Sequence, residues 1–262
     1  MKTIIVDLPS EFPVLKIVPF ADWHKDDPRC NEAFIDAEIA AVERDEFTYW
    51  LGNGDLLNFA LKNSKSNIYL SKMNPTEQVD WLCNKLYPIR KKALGFAVGN
   101  HEDRAFKESG IDVGKFITKQ LGIQDKYYET GGLIFVSFGQ SYREKSRGRK
   151  MTYSIYTKHG SGGGKKEGGK INSLISFANT VDADLYIGSH THLPFQTSLG
   201  FHRVNLTNRS IKYTPKFFVN TGAALDFGGY AEQGGYTPAA LAHILVTLDG
   251  TKRKMTAEMT IE

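Results

Sequence analysis

The sequence predicts an α/β sandwich in which helices cover mixed β-sheets. Three observations carry that reading. Short apolar runs alternate with amphipathic, helix-length segments through the first two thirds of the chain, and only strand-like segments follow. The polar residues that end the apolar runs are rich in Asp, Asn and His.

VLKIVPFAD (14–22) is a continuous apolar run closed by polar residues, the pattern of a strand buried on both faces. A helix follows over 31–42, and FTYWLG (47–52) forms a second strand. NPTEQ opens the next helix: Asn74 is the N-cap, Pro75 takes the first position, and Glu77 closes a capping box. Val79, Leu82, Cys83, Leu86 and Ile89 share one of its faces. LGFAVG (94–99) is a third strand, and a helix is expected over 111–121. Strands at 133–138 and 151–157 lead to a helix at 171–180, whose apolar face is Ile171, Leu174, Ile175 and Ala178. ADLYIG (183–188) and strands near 195–206, 211–219, 241–248 and 253–261 complete the chain. No repeat, low-complexity tract or linker divides residues 1–262, so one domain is expected.

Composition excludes several functions. No run approaches the roughly 18 apolar residues a membrane helix needs, which leaves no membrane partner to expect. Acids and prolines interrupt the N-terminal segment, which therefore lacks the apolar core of a signal peptide, and a cytoplasmic protein is the expectation. Cys30 and Cys83 are too few for a disulfide framework or a thiolate metal site and are expected to be buried thiols. The net charge of +4 hides a local excess. Residues 142–170 hold nine Lys/Arg and two acids, a local +7, so the rest of the chain carries −3. Such a segment suits a phosphate-bearing partner, although basic runs are also common as solvated loops.

Ligand sites in open α/β sheets lie beyond the carboxyl ends of strands. Those ends here carry Asp22-Trp23-His24, Gly52-Asn53-Gly54-Asp55, Gly99-Asn100-His101-Glu102, Lys158-His159-Gly160 and Ser189-His190-Thr191-His192. Five of the seven histidines fall in these five places. In extended chain, residues two apart point the same way, so Asp22 with His24, and His190 with His192, can each enter one cavity. Carboxylate, imidazole and amide oxygen without thiolate suit Mn, Fe or Zn better than Mg or Ca alone.

In order and type these blocks resemble the five signature blocks of the calcineurin-like metallophosphoesterases, a superfamily that includes purple acid phosphatases, the Mre11 and SbcD nucleases and class III cyclic-nucleotide phosphodiesterases. The resemblance spans about residues 14–225. It implies a four-layer αββα sandwich of two mixed sheets flanked by helices. It also implies two divalent metal ions, Mn first and Fe or Zn as alternatives: Asp22, His24 and His192 would hold one, Asn100, His159 and His190 the other, and Asp55 would bridge them. His101 matches the histidine that contacts the scissile phosphate and protonates the leaving group. Two departures stand out: Ser189 replaces the glycine before the first histidine of the last block, and GNGD stands for the commoner GD.

Each of these residues alone has an ordinary alternative as a cap or a hydrogen-bonded core residue, and for His202 and His243, outside every block, that is the expectation. Seven together require five coincidences. The glycine-rich GSGGGKKEGGK after His159 is no P-loop, because His159 and Lys166 occupy the first Gly and the Ser/Thr positions, and there is no GxSxG esterase motif. The expected activity is hydrolysis of a phosphate ester, more readily a diester, by a metal-bridging hydroxide. DNA, RNA or a nucleotide is the expected substrate class, with Arg104, Lys165, Lys166 and Lys170 as phosphate contacts. Tyr142, Tyr153 and Tyr156 are candidate stacking or core residues. A phosphomonoesterase acting on small phosphates or phosphoprotein, and a non-catalytic protein-binding scaffold, are the alternatives.

Overall fold

A computed structural model describes residues 1–64, 66–142, 148–162 and 164–262. Arg143, Lys145 and Arg147 of the basic segment, and Gly163, lie outside the described residues.

Two mixed sheets stack face to face. The five-stranded sheet has the order β11-β10-β2-β3-β4, built from β2 (Val14–Phe20), β3 (Thr48–Asn53), β4 (Ala93–Ala97), β10 (Ala242–Asp249) and β11 (Met255–Ile261). Strands β2, β3 and β4 run parallel, and β10 is antiparallel to both β2 and β11. The six-stranded sheet has the order β1-β5-β6-β7-β9-β8, from β1 (Lys2–Asp7), β5 (Gly131–Phe138), β6 (Met151–Lys158), β7 (Leu185–Gly188), β8 (Phe195–Asn205) and β9 (Ser210–Asn220).

Alternation decides which face of each strand meets which layer. Ile17, Leu51, Val246 and Leu248 meet Ile134, Val136, Ile155 and Ile187 between the sheets. The opposite faces carry their own clusters. Phe20, Trp50 and Phe96 pack under α1 (Glu32–Arg44), α2 (Pro75–Leu86) and α4 (Val113–Leu121). Tyr156, Tyr186 and Phe218 pack under α5 (Glu167–Ile175) and the 3-10 turn after it. The layers are therefore helix, sheet, sheet, helix, the αββα order implied by the resemblance.

Most expected elements appear with ends moved by one to three residues. The Asn74–Glu77 capping box forms in both directions. Helix α2 stops at Leu86, so Ile89 lies beyond it, buried all the same. The helix expected at 171–180 starts four residues earlier and ends in a 3-10 turn at Ser176–Asn179. Strand β1 was not foreseen; Ile4 and Val6 face the core while Ile5 is exposed, an edge-strand alternation hidden by the apolar run around it. A short α3 (Asp103–Ser109) begins where Glu102, Asp103 and Arg104 read in the sequence as a helix start, whereas α6 (Tyr230–Gln233) was not foreseen. Cys83 is buried, but Cys30 is only half-buried, which corrects that expectation. Tyr153 and Tyr156 are core residues and Tyr142 is exposed.

The basic segment is divided by the fold. Strand β6 ends at the candidate site and starts at the other end of the sandwich, about 25 Å away for eight residues of strand. Lys150 pairs with Asp7 at that far end, 2.7 Å away. Among the described basic residues of this segment, Lys158, Lys165, Lys166 and Lys170 lie on the side of His159, while Arg149 and Lys150 lie at the far end of β6.

Candidate functional site

The carboxyl ends of β2, β3, β4, β6 and β7 converge, and the five polar blocks meet there. The chain turns hard at each. Asp22, His24, Asp55, His190 and His192 all have left-handed φ, between 47° and 70°. Asp and His tolerate this region better than most residues, yet each such position costs about 1–3 kcal/mol and persists only where its surroundings fix it.

What fixes them is visible. The segments after β2 and β3 continue side by side, with Asp22 N donating to Gly54 O and His24 N to Asp55 O, each 3.0 Å. Gly54 and Gly99 pack backbone to backbone: a Cβ on Gly99 would lie 2.1 Å from Asp55 Oδ1, and one on Gly54 would lie 2.5 Å from Gly99 N. Only glycine fits at either place. Glu102, fully enclosed, accepts from Gly99 N (2.9 Å), Asp55 N (3.1 Å) and Leu57 N (2.8 Å), joining the third block to the second.

Two trios of ligand atoms result. Asp22, His24 and His192 form the first; Asp55, His159 and His190 form the second. In the first, His24 Nε2 and His192 Nε2 are 3.1 Å apart, and Asp22 Oδ1 lies 3.9 and 3.5 Å from them. Donors about 2.0–2.1 Å from one tetrahedral ion stand roughly 3.3–3.4 Å from one another, so the spacing fits. Asp22 Oδ2 is occupied by His190 N at 2.8 Å, which leaves Oδ1 facing the imidazoles.

Backbone carbonyls fix which ring nitrogen carries the proton. A carbonyl only accepts, so the proton is on His159 Nδ1 against Asn53 O (2.7 Å), on His101 Nδ1 against Asn58 O (2.7 Å) and on His190 Nε2 against Gly162 O (2.9 Å). The opposite nitrogen of His159 and of His101 faces Asp55, at 3.2 and 3.9 Å. Metal-ligating histidines ordinarily donate their second nitrogen to such carbonyls.

Among the described residues, Asp22 Oδ1 and His159 Nε2 are buried side-chain atoms without a hydrogen-bond partner; His159 Nε2 stands close to Asp55 Oδ2 without completing a bond. Burying such atoms unpaired is costly, and a cation between them removes the cost. The electrostatics agree. Burial disfavours charged His159, but the Asp55 carboxylate outweighs it and pushes the imidazole up to about 10. Burial raises Asp55, yet the charges of His159, His101 and His24 carry it well below the usual carboxylate range. Burial and neighbouring imidazoles push His24 well down, and burial first, then His159, lowers His190. The centre thus favours positive charge beside Asp55 and neutral, lone-pair-bearing imidazoles around it. The residues present fit divalent cations.

The remaining expected residues divide. His101 reaches the centre, its ring 4.4 Å from that of His24, and it falls in a third trio with His24 and Asp55. Asn100 is exposed on the turn that carries His101. Lys165 and Lys166 are exposed, with Lys165 Nζ 5.7 Å from the Tyr236 ring. Arg104 spends its NH1 on Asn58 O (3.0 Å), Phe59 O (3.2 Å) and Ser66 Oγ (3.0 Å), bracing the backbone that holds His101. His202 lies exposed against Tyr213, while His243 stacks on Phe34 and pairs with Glu38 and Glu262.

Three buried residues with supporting roles were not foreseen. Asn53 holds His159 through its carbonyl, while its side chain bonds Lys158 O, Ser189 Oγ and Thr157 Oγ1. Ser189 fills the usual glycine position because its hydroxyl finds Asn53 O and His159 O, both at 3.0 Å. Glu102 is the third. The departure GNGD was the available signal for Asn53, since a polar residue in the interior of an apolar strand end needs partners.

No protein-family model matches the chain, and a search of curated proteins found no match. Among solved structures the chain is similar to a Streptococcus pneumoniae protein described as a predicted phosphoesterase, at 12% identity over 95% of this chain and 98% of that one, with a TM-score of 0.40. It is similar to wild-type Vps29 complexed with zinc from Entamoeba histolytica, at 12% identity over 94% and 99% of the chains, TM-score 0.44. GAP50 of Plasmodium matches at 8% identity over 95% and 84%, TM-score 0.49. At these identities and TM-scores the likeness says nothing of what the strand-end residues do.

Proposed function

We propose that this chain is a metal-dependent phosphohydrolase, acting on a phosphodiester of nucleotide or nucleic-acid type. One observation carries the reading: two trios of carboxylate and imidazole share a buried centre, spaced for ions, with two buried polar atoms left for a cation to satisfy. The resemblance of the five blocks to the calcineurin-like metallophosphoesterases points the same way.

Asp22, His24 and His192 would hold one divalent ion, Asp55 would contribute to both, and His159 and His190, with Asn100, would hold the other. Mn, Fe or Zn bound there would supply charge to the phosphoryl oxygens and acidify a water. The chain's own part is positional. Asn53 O and Gly162 O orient His159 and His190, and Glu102 holds Asp55 in its left-handed turn. His101, its Nδ1 proton committed to Asn58 O, keeps Nε2 on the side of Asp55; protonated there from solvent, the imidazolium would give that Nε2 proton to the leaving oxygen and return to the neutral ring. Lys158, Lys165, Lys166 and Lys170 are cations on this side that would meet a substrate's phosphates. Four lysines favour a nucleotide or a short strand over a long polyanion.

The test is parallel assay of metal-loaded protein on bis-p-nitrophenyl phosphate, p-nitrophenyl phosphate, cyclic nucleotides, RNA and linear DNA, with bound metal counted by elemental analysis. Metal-dependent turnover of a diester above the monoester is the expected result. Protein that binds metal in both trios and leaves every ester intact would overturn the hydrolase reading in favour of a binding scaffold.

A further inference from the structure

Strand β8 is an edge of the six-stranded sheet, and its outer side has no partner strand among the described residues. It pairs with β9 over all eleven residues, from Phe195↔Asn220 to Asn205↔Ser210, without a register shift. Strand β7 supports only Phe217–Asn220 of β9. Beyond that support, Ser198–Asn205 and Ser210–Tyr213 are exposed.

Long regular edges invite pairing, and proteins ordinarily guard them with charges, prolines, bulges or shortness. The other edges are guarded. Strand β1 has six residues including Lys2 and Asp7, β11 carries Glu258, and β4 is five buried residues. Strand β8 is the least guarded: at eleven residues it is the longest of the four edges, and FQTSLGFHRVN contains no proline and no acid. Its single formal charge, Arg203, is engaged by Asp182. Leu199, Phe201 and Val204 are 37%, 38% and 62% exposed along it.

We infer that β8 is an interface between two copies of this chain, the strands pairing antiparallel about a twofold axis at Gly200 to make one continuous sheet. The commitment to a second copy follows from self-complementarity. Centring on Gly200 overlaps all eleven residues, and a twofold normal to the sheet keeps each residue opposite one of its own face. Leu199 then faces the partner's Phe201, twice by symmetry, giving apolar cross-strand pairs at the middle of the interface. Arg203 faces the partner's Thr197, so like charges do not meet. Ser198 faces the partner's His202, a polar pair, and at the axis Gly200 has no side chain to clash. The ring of Tyr213 covers that glycine on its own chain, since a Cβ on Gly200 would meet the ring at 2.5 Å. Because β8 begins three residues after His192 and runs away from the centre, antiparallel pairing points the two candidate centres to opposite ends. The interface is thus independent of the phosphohydrolase reading.

The experiment is sedimentation velocity with multi-angle light scattering on the full chain across a concentration series. A dimer is expected for the parent, and Leu199→Lys with Phe201→Lys should raise its dissociation constant by about tenfold or more, through loss of both apolar pairs and the facing lysines. Circular dichroism checks that the variant folds. A second measurement stands if it does not: Leu199→Cys in a Cys30→Ser background should be linked to its own copy by a short bismaleimide, because residue 199 and its symmetry mate lie on a cross-strand diagonal of about 7–8 Å. Ile211→Cys, one strand removed, should not be linked. A parent that stays monomeric throughout, a dimer unaffected by the lysines, or linking at 211 in preference to 199 would each overturn the proposal. A monomer that instead binds an acidic peptide or nucleic acid through β8 would also overturn it.

Discussion

The two ends of the six-stranded sheet are built by opposite rules. At one end β6 and β7 stop short, the chain turns left-handed at His190 and His192, and the buried Asp22, Asp55 and His159 gather beside them. At the other, the β8–β9 ladder continues in perfect register while its side chains lie in solvent. Irregular and buried against regular and exposed: the first arrangement costs energy locally and is held by surrounding bonds, the second costs little and lacks only cover. Strain fixed by a hydrogen-bond shell marks a place where side chains must converge. Regularity without burial marks a surface.

The largest effect that can test this contrast is at Asp55, which falls in the trio with His159 and His190 and again in the one with His24 and His101. Asp55→Asn should lower turnover by more than about a hundredfold and reduce bound metal at both positions, since the amide lacks the charge that favours cations here and second-sphere changes alone cost 10- to 100-fold. Elemental analysis with kinetics checks it. Full metal content with near-parent turnover would remove the shared-centre account.

His101→Ala should come next, lowering turnover by about a hundred- to ten-thousandfold while metal content holds. The loss should shrink on p-nitrophenyl esters, whose leaving group needs little protonation. An equal loss on good and poor leaving groups would assign His101 to positioning instead, and its 3.9 Å approach to Asp55 would then be the relevant contact.

Much of this was legible in the sequence, for physical reasons that differ by residue. Buried parallel strands are continuous apolar runs, so the polar residue that ends each one is conspicuous; this is why all five blocks could be found and why the αββα order followed from the resemblance. The capping box at Asn74 and Glu77 is local chemistry and formed as expected. What the sequence hid was anything that depends on strand direction. Residues 142–170 look like one basic segment, yet β6 separates Lys150 from Lys158 and the lysines after it by the length of the strand. Arg104 looks free for substrate, but Asn58, Phe59 and Ser66 accept from its NH1. Glu102 looks like a helix start because its neighbours are; its partners are backbone amides 45 and 47 residues earlier, which no local pattern can announce.

That third-block glutamate yields a smaller and sharper test of the strained end. Glu102→Gln keeps the shape and, with its amide oxygen in the place of Oε2, still accepts from Gly99 N and Asp55 N, but it turns an NH₂ toward Leu57 N and so loosens the segment that follows Asp55. Metal affinity, measured by titration calorimetry on folded protein, should fall about 10- to 100-fold, with Glu102→Ala lower still. A core variant of similar stability loss, such as Leu248→Ala between the sheets, should keep the parent's affinity. If both variants lose affinity in proportion to stability, Glu102 is a fold residue and the shell around Asp55 does not tune the centre.

The smallest effect belongs to the regular end, and one strand supplies both sides of the comparison. Strand β9 carries Phe218, fully buried under the outer helices, and Ile211, 68% exposed on the free part of the ladder. Phe218→Ala should destabilise by about 3–5 kcal/mol, the cost of removing a buried aromatic ring and leaving a cavity. Ile211→Thr keeps a β-branched side chain in the same register and gives up only the cross-strand contact with Val204, a pair worth about 0.2–1 kcal/mol. Denaturant unfolding of the two variants measures the difference, and turnover of Ile211→Thr should equal the parent's because nothing links that position to the centre. A loss at Ile211 as large as that at Phe218 would mean that the outer ladder is already covered in solution at its inner strand, and the contrast between the two ends would fail.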